Sequence, residues 1–185
     1  LSAINGSGES SITIIPAENP ASPGSGPTTF VDLTTIALSG IAELDAGDTA
    51  IELSLSQLES IPAVSTSSGG KFVVAELADG SGQITGTLDL SKSIIDPINA
   101  YVTAGGTLII SSPQSSQALN IDGASGGIVR VTDTDQNAVF SQIEPDLQII
   151  AEFSGSATAP LDMQNVDIVN ISDSGTVNLT NSLLS

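Results

Sequence analysis

The sequence predicts an all-β fold: a β-sandwich of jelly-roll or immunoglobulin-like type, with an extended N-terminal strand arm at residues 1–27 and the sandwich domain at 28–185. Three observations carry that expectation. The apolar residues are mostly Ile, Leu, Val and Ala, with few aromatics and much Gly, Ser and Thr, a mix suited to pleated sheet and tight turns. Short runs alternate apolar and polar residues with period two, most clearly at Ile51, Leu53 and Leu55 with Glu52 and Ser54 between them. Gly-Gly, Asp-Gly, Ser-Gly and proline separate the runs, as turns separate the strands of a sandwich or barrel.

The arm comes first. From Leu1 a Gly/Ser patch leads to the apolar beat Ile12, Ile14 and Ile15, followed by Pro16, Pro20, Pro23 and Pro27. Prolines so spaced stiffen a chain toward polyproline II and make a spacer, so Ile12, Ile14 and Ile15 read as a donor strand carried to another molecule. Strands are then expected at 30–38, 51–55, 71–77, 83–90, 107–111, 128–132, 147–153, 165–171 and 176–180. Helix is expected only at 57–60 and around Asp96-Pro97, where Asp suits a cap and Pro the first helical position. The alternative architecture is a parallel β-helix, because residues 161–183 set short apolar doublets among Asn, Asp, Ser and Thr; against it, no fixed period of 20–25 residues persists in the sequence.

Composition removes whole classes of function. The net charge is −18, from 21 acidic residues against Lys71, Lys92 and Arg130. Nucleic acid and anionic membrane both require basic residues, so neither is expected as a partner. Without Cys there are no disulfides or thiolate metal sites, and without His no Ser–His catalysis. The start at Leu1, with no signal-like segment and no long apolar run, reads as a processed, secreted product located outside the cell or on its surface. Three sequons, at Asn5, Asn170 and Asn178, are compatible with glycosylation there.

The sharpest motif runs from Asp133 to Glu144. Asp133, Asp135, Asn137, Ser141 and Glu144 put oxygen donors at positions 1, 3, 5, 9 and 12 of a twelve-residue loop, the spacing by which an EF-hand surrounds Ca²⁺. Ala138 stands where that loop has glycine, and Pro145 and the strand-like residues 128–131 stand where it has helices, so the string equally fits an acidic hairpin loop. Calcium is the one cofactor the sequence suggests. Glu43, Asp45 and Asp48 read as an exposed acidic turn. Asp173-Ser-Gly-Thr176 matches an aspartic-protease string but lacks a second lobe, and reads as a turn. Residues 24–29 lack the Lys of a phosphate-binding loop, and aromatic platforms for sugars are scarce. Lys71, a rare base on a strand, fits an exposed strand end better than an intramolecular crosslink. The protein is therefore expected not to be an enzyme.

An N-terminal strand arm bearing Ile12, Ile14 and Ile15, followed by a cysteine-free Ser/Thr/Gly-rich β domain, resembles the donor-strand filament subunits of prokaryotes: archaeal bundling pili and threads, and the TasA biofilm fibre. The resemblance is architectural. It implies a secreted structural subunit of a pilus-like filament that polymerises by donor-strand complementation and serves adhesion or biofilm. Its partners would be copies of itself, a homopolymer, and other cell-surface components. The alternative is a calcium-dependent adhesin or surface-layer module whose loop at Asp133–Glu144 is stiffened by the ion.

Overall fold

The computed structural model describes residues 3–13, 30–66, 70–91, 95, 98–160, 162–172 and 174–179. Ile14, Ile15, the proline-rich spacer, Lys92, Asp96-Pro97 and Asp173 lie outside the described residues. The chain forms two compact units, Leu1–Asp79 with Ser93–Asp96 and Gly80–Lys92 with Pro97–Ser185; the sequence placed its single boundary after residue 27.

The first unit contains strands β1 (Ala3–Thr13), β2 (Phe30–Asp32), β3 (Ala37–Asp45) and β4 (Ala50–Leu53), helix α1 (Leu55–Ser60), strands β5 (Ala63–Ser65) and β6 (Lys71–Val74), and helix α2 (Ala75–Asp79). They make two sheets, ordered β1-β3-β5 and β2-β4-β6. The second unit contains β7 (Gly82–Ile84), β8 (Thr87–Asp89), β9 (Asn99–Val102), β10 (Thr107–Ser111), α3 (Ser112–Gln117), β11 (Asn120–Gly123), β12 (Ile128–Thr132), β13 (Gln148–Phe153), β14 (Ala157–Thr158), β15 (Ile168–Ile171) and β16 (Val177–Asn178). Its sheets are ordered β15-β13-β12-β10-β8, β11-β9-β7 and β14-β16.

These pairings overturn the antiparallel sandwich. Every sheet among the described residues is parallel, the sheets are small, and short helices stand between strands, so the arrangement is mixed rather than antiparallel all-β. The register shows why. Phe30 pairs with Ala50, Ala50 with Lys71, Thr87 with Thr107, Thr107 with Ile128 and Ile128 with Gln148. A hairpin brings neighbouring runs together across a tight turn, whereas here the chain completes a coil before each strand meets its partner, as parallel pairing demands. Nor is parallel pairing confined to the last third of the sequence; it begins at β1.

Stacking coils line up like residues in columns. Leu108, Val129 and Ile149 form one inward column, and Ile110, Val131 and Ala151 another, all 0% exposed. Equivalent turns lead into successive coils: the amides of Gly106, Gly127, Leu147 and Val166 donate to the carbonyls of Thr103, Ala124, Glu144 and Met163 at 2.9–3.1 Å. The Gly105-Gly106 pair meets two separate demands of such a turn. Gly105 takes φ +83°, and a Cβ on Gly106 would collide with the Ile84 carbonyl of the coil beneath.

A longer regularity also appears. Asp32, Leu33, Ser54 and Gln57 recur as Asp89, Leu90, Ser111 and Gln114, each displaced by 57 positions. The bonds recur with them. Asp32 Oδ1 accepts from the Thr34 amide at 2.8 Å, and Asp89 Oδ1 from the Ser91 amide at 3.0 Å. Gln57 Oε1 accepts from the Ser54 amide at 2.7 Å while its Nε2 donates to the Leu33 carbonyl at 2.6 Å. Gln114 Oε1 accepts from the Ser111 amide at 2.8 Å, and its Nε2 donates to the Leu90 carbonyl at 2.9 Å. Each glutamine thus caps a short helix and ties it to the preceding coil. The pair β2–β4 in the first unit is the counterpart of β8–β10 in the second.

Candidate assembly surface

A coil stack buries each apolar column under the next coil, so its ends are where the pattern must stop. In the second unit the column Ile110, Val131, Ala151 continues in register to Val169 on β15. The first three are 0% exposed and Val169 is 44% exposed. Beside it Phe153, 2% exposed, pairs with Ile171, 47% exposed. These side chains keep the inward positions of their column, but no described coil lies over them. Ile168, also on β15, and Leu179, just after β16, add to the same exposed apolar set.

β15 is also an edge. Among the described residues it pairs only with β13, which leaves backbone groups along its other side without a strand partner. Natural edge strands are usually blunted by Lys, Pro or a bulge. The residues of β15, Ile168-Val169-Asn170-Ile171, include no charge and no proline. A shallow groove runs along the strand ends here, lined by Asp133, Glu152, Phe153, Asn170 and Ile171 among others. Glu152 is paired there with the Arg130 guanidinium.

Of the expected donor residues only Ile12 lies among the described residues. β1 lies on β3 of its own chain, with Ile12 opposite Leu44 and Thr13 opposite Asp45. Ile12 is half-buried there, and Leu44 is 1% exposed. A segment tethered to its acceptor meets it at a high effective concentration, which favours pairing within the chain over donation to a neighbour. In the single chain β1, the described part of the leader, pairs with its own sheet.

Of the five oxygen donors expected to converge on calcium, Asp135 and Asn137 are brought together, with Asn137 Nδ2 donating to Asp135 Oδ2 at 3.2 Å. Asp135 Oδ1 accepts from Ser112 Oγ at 2.7 Å and from the Asn137 amide at 2.9 Å, closing a local turn. These bonds, the Ser112 hydroxyl foremost, hold the Asp135 carboxyl below the usual carboxylate range. The Ser141 amide donates to Asp162 Oδ2 at 3.1 Å. Asp133 takes φ 49° and lines the groove by Glu152. No group of three or more His, Cys, Asp or Glu suited to a metal ion occurs among the described residues.

Of the sequons, Asn170 sits on β15 and Asn178 on β16, both exposed, while Asn5 on β1 accepts a hydrogen bond from Ser39 Oγ. The glutamine caps and the exposed apolar residues of β15 were not singled out from the sequence. The recurring Asp-Leu and Ser-x-x-Gln strings, and an apolar strand without gatekeeping charges, were the signals available. Comparison with protein-family models, curated proteins and solved structures finds no match to this chain.

Proposed function

We propose that the chain is a non-catalytic structural subunit of an extracellular assembly serving adhesion or biofilm, and that it associates with copies of itself through the exposed strand β15 of its second unit. The observation that carries this reading is the inward column that reaches Val169 and Ile171, apolar positions about half exposed on a strand that pairs, among the described residues, only with β13. Exposed contiguous apolar surface marks an interaction site, and a coil whose apolar column is left exposed invites another coil. The extracellular setting is supported by the glycosylation sequons, of which Asn178 is exposed on β16. The cis placement of β1 shifts the assembly contact away from the leader, so the reading does not depend on strand donation by Ile12.

The test is light scattering with electron microscopy on purified protein. Wild-type protein is expected to grow in mass with concentration and to form extended particles, and a Val169→Asp, Ile171→Asp double variant is expected to stay single. A wild type that remains a single chain at every concentration would refute the proposal.

A further inference from the structure

An open coil end can be met by another like it or by a different surface, and the internal 57-residue repeat discriminates between these. Resting on the self-association just proposed, we infer that the partner surface is the first coil of a second copy, with β15 of one chain pairing in parallel with β2 of the next.

Register leads to this assignment. Within the second unit one outward column runs Asp89, Ile109, Arg130, Ile150, Ile168. In the first unit another runs Asp32, Glu52, Val73. Asp32 and Asp89 are counterparts: each ends the first strand of its sheet, each closes the same turn on a hydroxyl residue two positions on, and each precedes a leucine whose carbonyl accepts from the capping glutamine. A column of the kind that begins at Asp32 therefore stops at Ile168. Placing Asp32 of a second copy beside Ile168 continues it, and sets Leu33 beside Val169 as Leu90 is set beside Ile110.

Among the described residues β2 pairs only with β4, and β15 only with β13. The contact extends the coil-on-coil interface already established inside each unit, with the same strand direction. It also suits the charge: the outward residues of β15, Ile168 and Asn170, bring no carboxylate against Asp32, which matters in a chain of net charge −18. Two β15 edges meeting each other would run antiparallel and end both columns. Because the two surfaces differ, the contact is head-to-tail, and it closes into a ring or grows as a filament according to the rotation it imposes.

The chain has no cysteine, so introduced thiols report this contact alone. Adjacent strands lie about 4.8 Å apart, within the Cα separation a disulfide spans. Copies carrying Ile168→Cys are mixed with copies carrying Asp32→Cys and oxidised; Asn170→Cys with Thr34→Cys is the second pair, in case loss of the Asp32 turn disturbs folding. Disulfide-linked dimers are expected in the mixtures and not in any variant alone. Crosslinking of Ile168→Cys or Asn170→Cys copies with themselves would overturn the assignment in favour of like-to-like contact. No crosslink in either mixture, while light scattering still shows wild-type association, would overturn the β15–β2 contact and leave self-association standing; absence of association would remove both.

Discussion

Truncating the same column at two heights separates a buried coil from an open one. Val131 and Val169 occupy one inward column in register, yet Val131 is 0% and Val169 44% exposed. Val→Ala removes two methylene equivalents, about 1.6 kcal/mol of transfer free energy at full burial. A cavity of roughly 50 Å³ at Val131 adds about 1 kcal/mol where the neighbours do not collapse, for a total of about 2–3 kcal/mol. Val169→Ala in dilute protein loses only about half the transfer contribution, under 1 kcal/mol, and leaves no closed cavity. Denaturant unfolding at low concentration measures both, with the shift read in the midpoint at unchanged slope. Equal costs at the two sites would mean that Val169 is covered in the single chain, and the uncapped coil would be wrong.

Three further outcomes follow from the geometry. Gln114→Ala should cost about 2–4 kcal/mol in the same assay, because the buried Leu90 carbonyl and Ser111 amide lose their partner, and Gln57→Ala less, since Gln57 is only half-buried; a neutral Gln114→Ala would refute the capping role. Asp135, whose carboxyl is held low in the folded chain, contributes stability that is present above the ordinary carboxylate range and is lost as pH falls through its folded value, so the stability gap between wild type and Asp135→Asn should narrow below about pH 4; a gap constant with pH would refute it. Association measured by light scattering should strengthen with added salt at neutral pH, since screening relieves repulsion between chains of net charge −18; equal association at low and high ionic strength would contradict this.

Much of the strand content was legible. The runs expected at 107–111 and 128–132 match β10 and β12, and the expected helix at 57–60 lies within α1. Pairing direction was not legible, because a strand with one face inward alternates in the same way whether its partner is a hairpin away or a coil away; β12, with Val129 and Val131 buried, shows this. The coil period was hidden because it resides in turn geometry. The turns opening at Thr103, Ala124 and Glu144 share a backbone bond but not a sequence, with Ala-Gly-Gly in one and Pro-Asp-Leu in another. Helix α3 was missed because Ser-Ser-Pro reads as a turn until Gln114 is seen to cap it. The surface proposed to matter most, Val169 and Ile171, looks in sequence like any other strand; only its place at the end of a column distinguishes it.

Hydrogen exchange along that column tests the account most directly. In dilute protein the amides of β13, flanked by β12 and β15, should exchange slowly and those of β15 fast, and raising the concentration should slow β15 selectively. Amides of β15 as slow as those of β13 in dilute protein, or an exchange rate on β15 indifferent to concentration, would contradict an open coil that another copy completes.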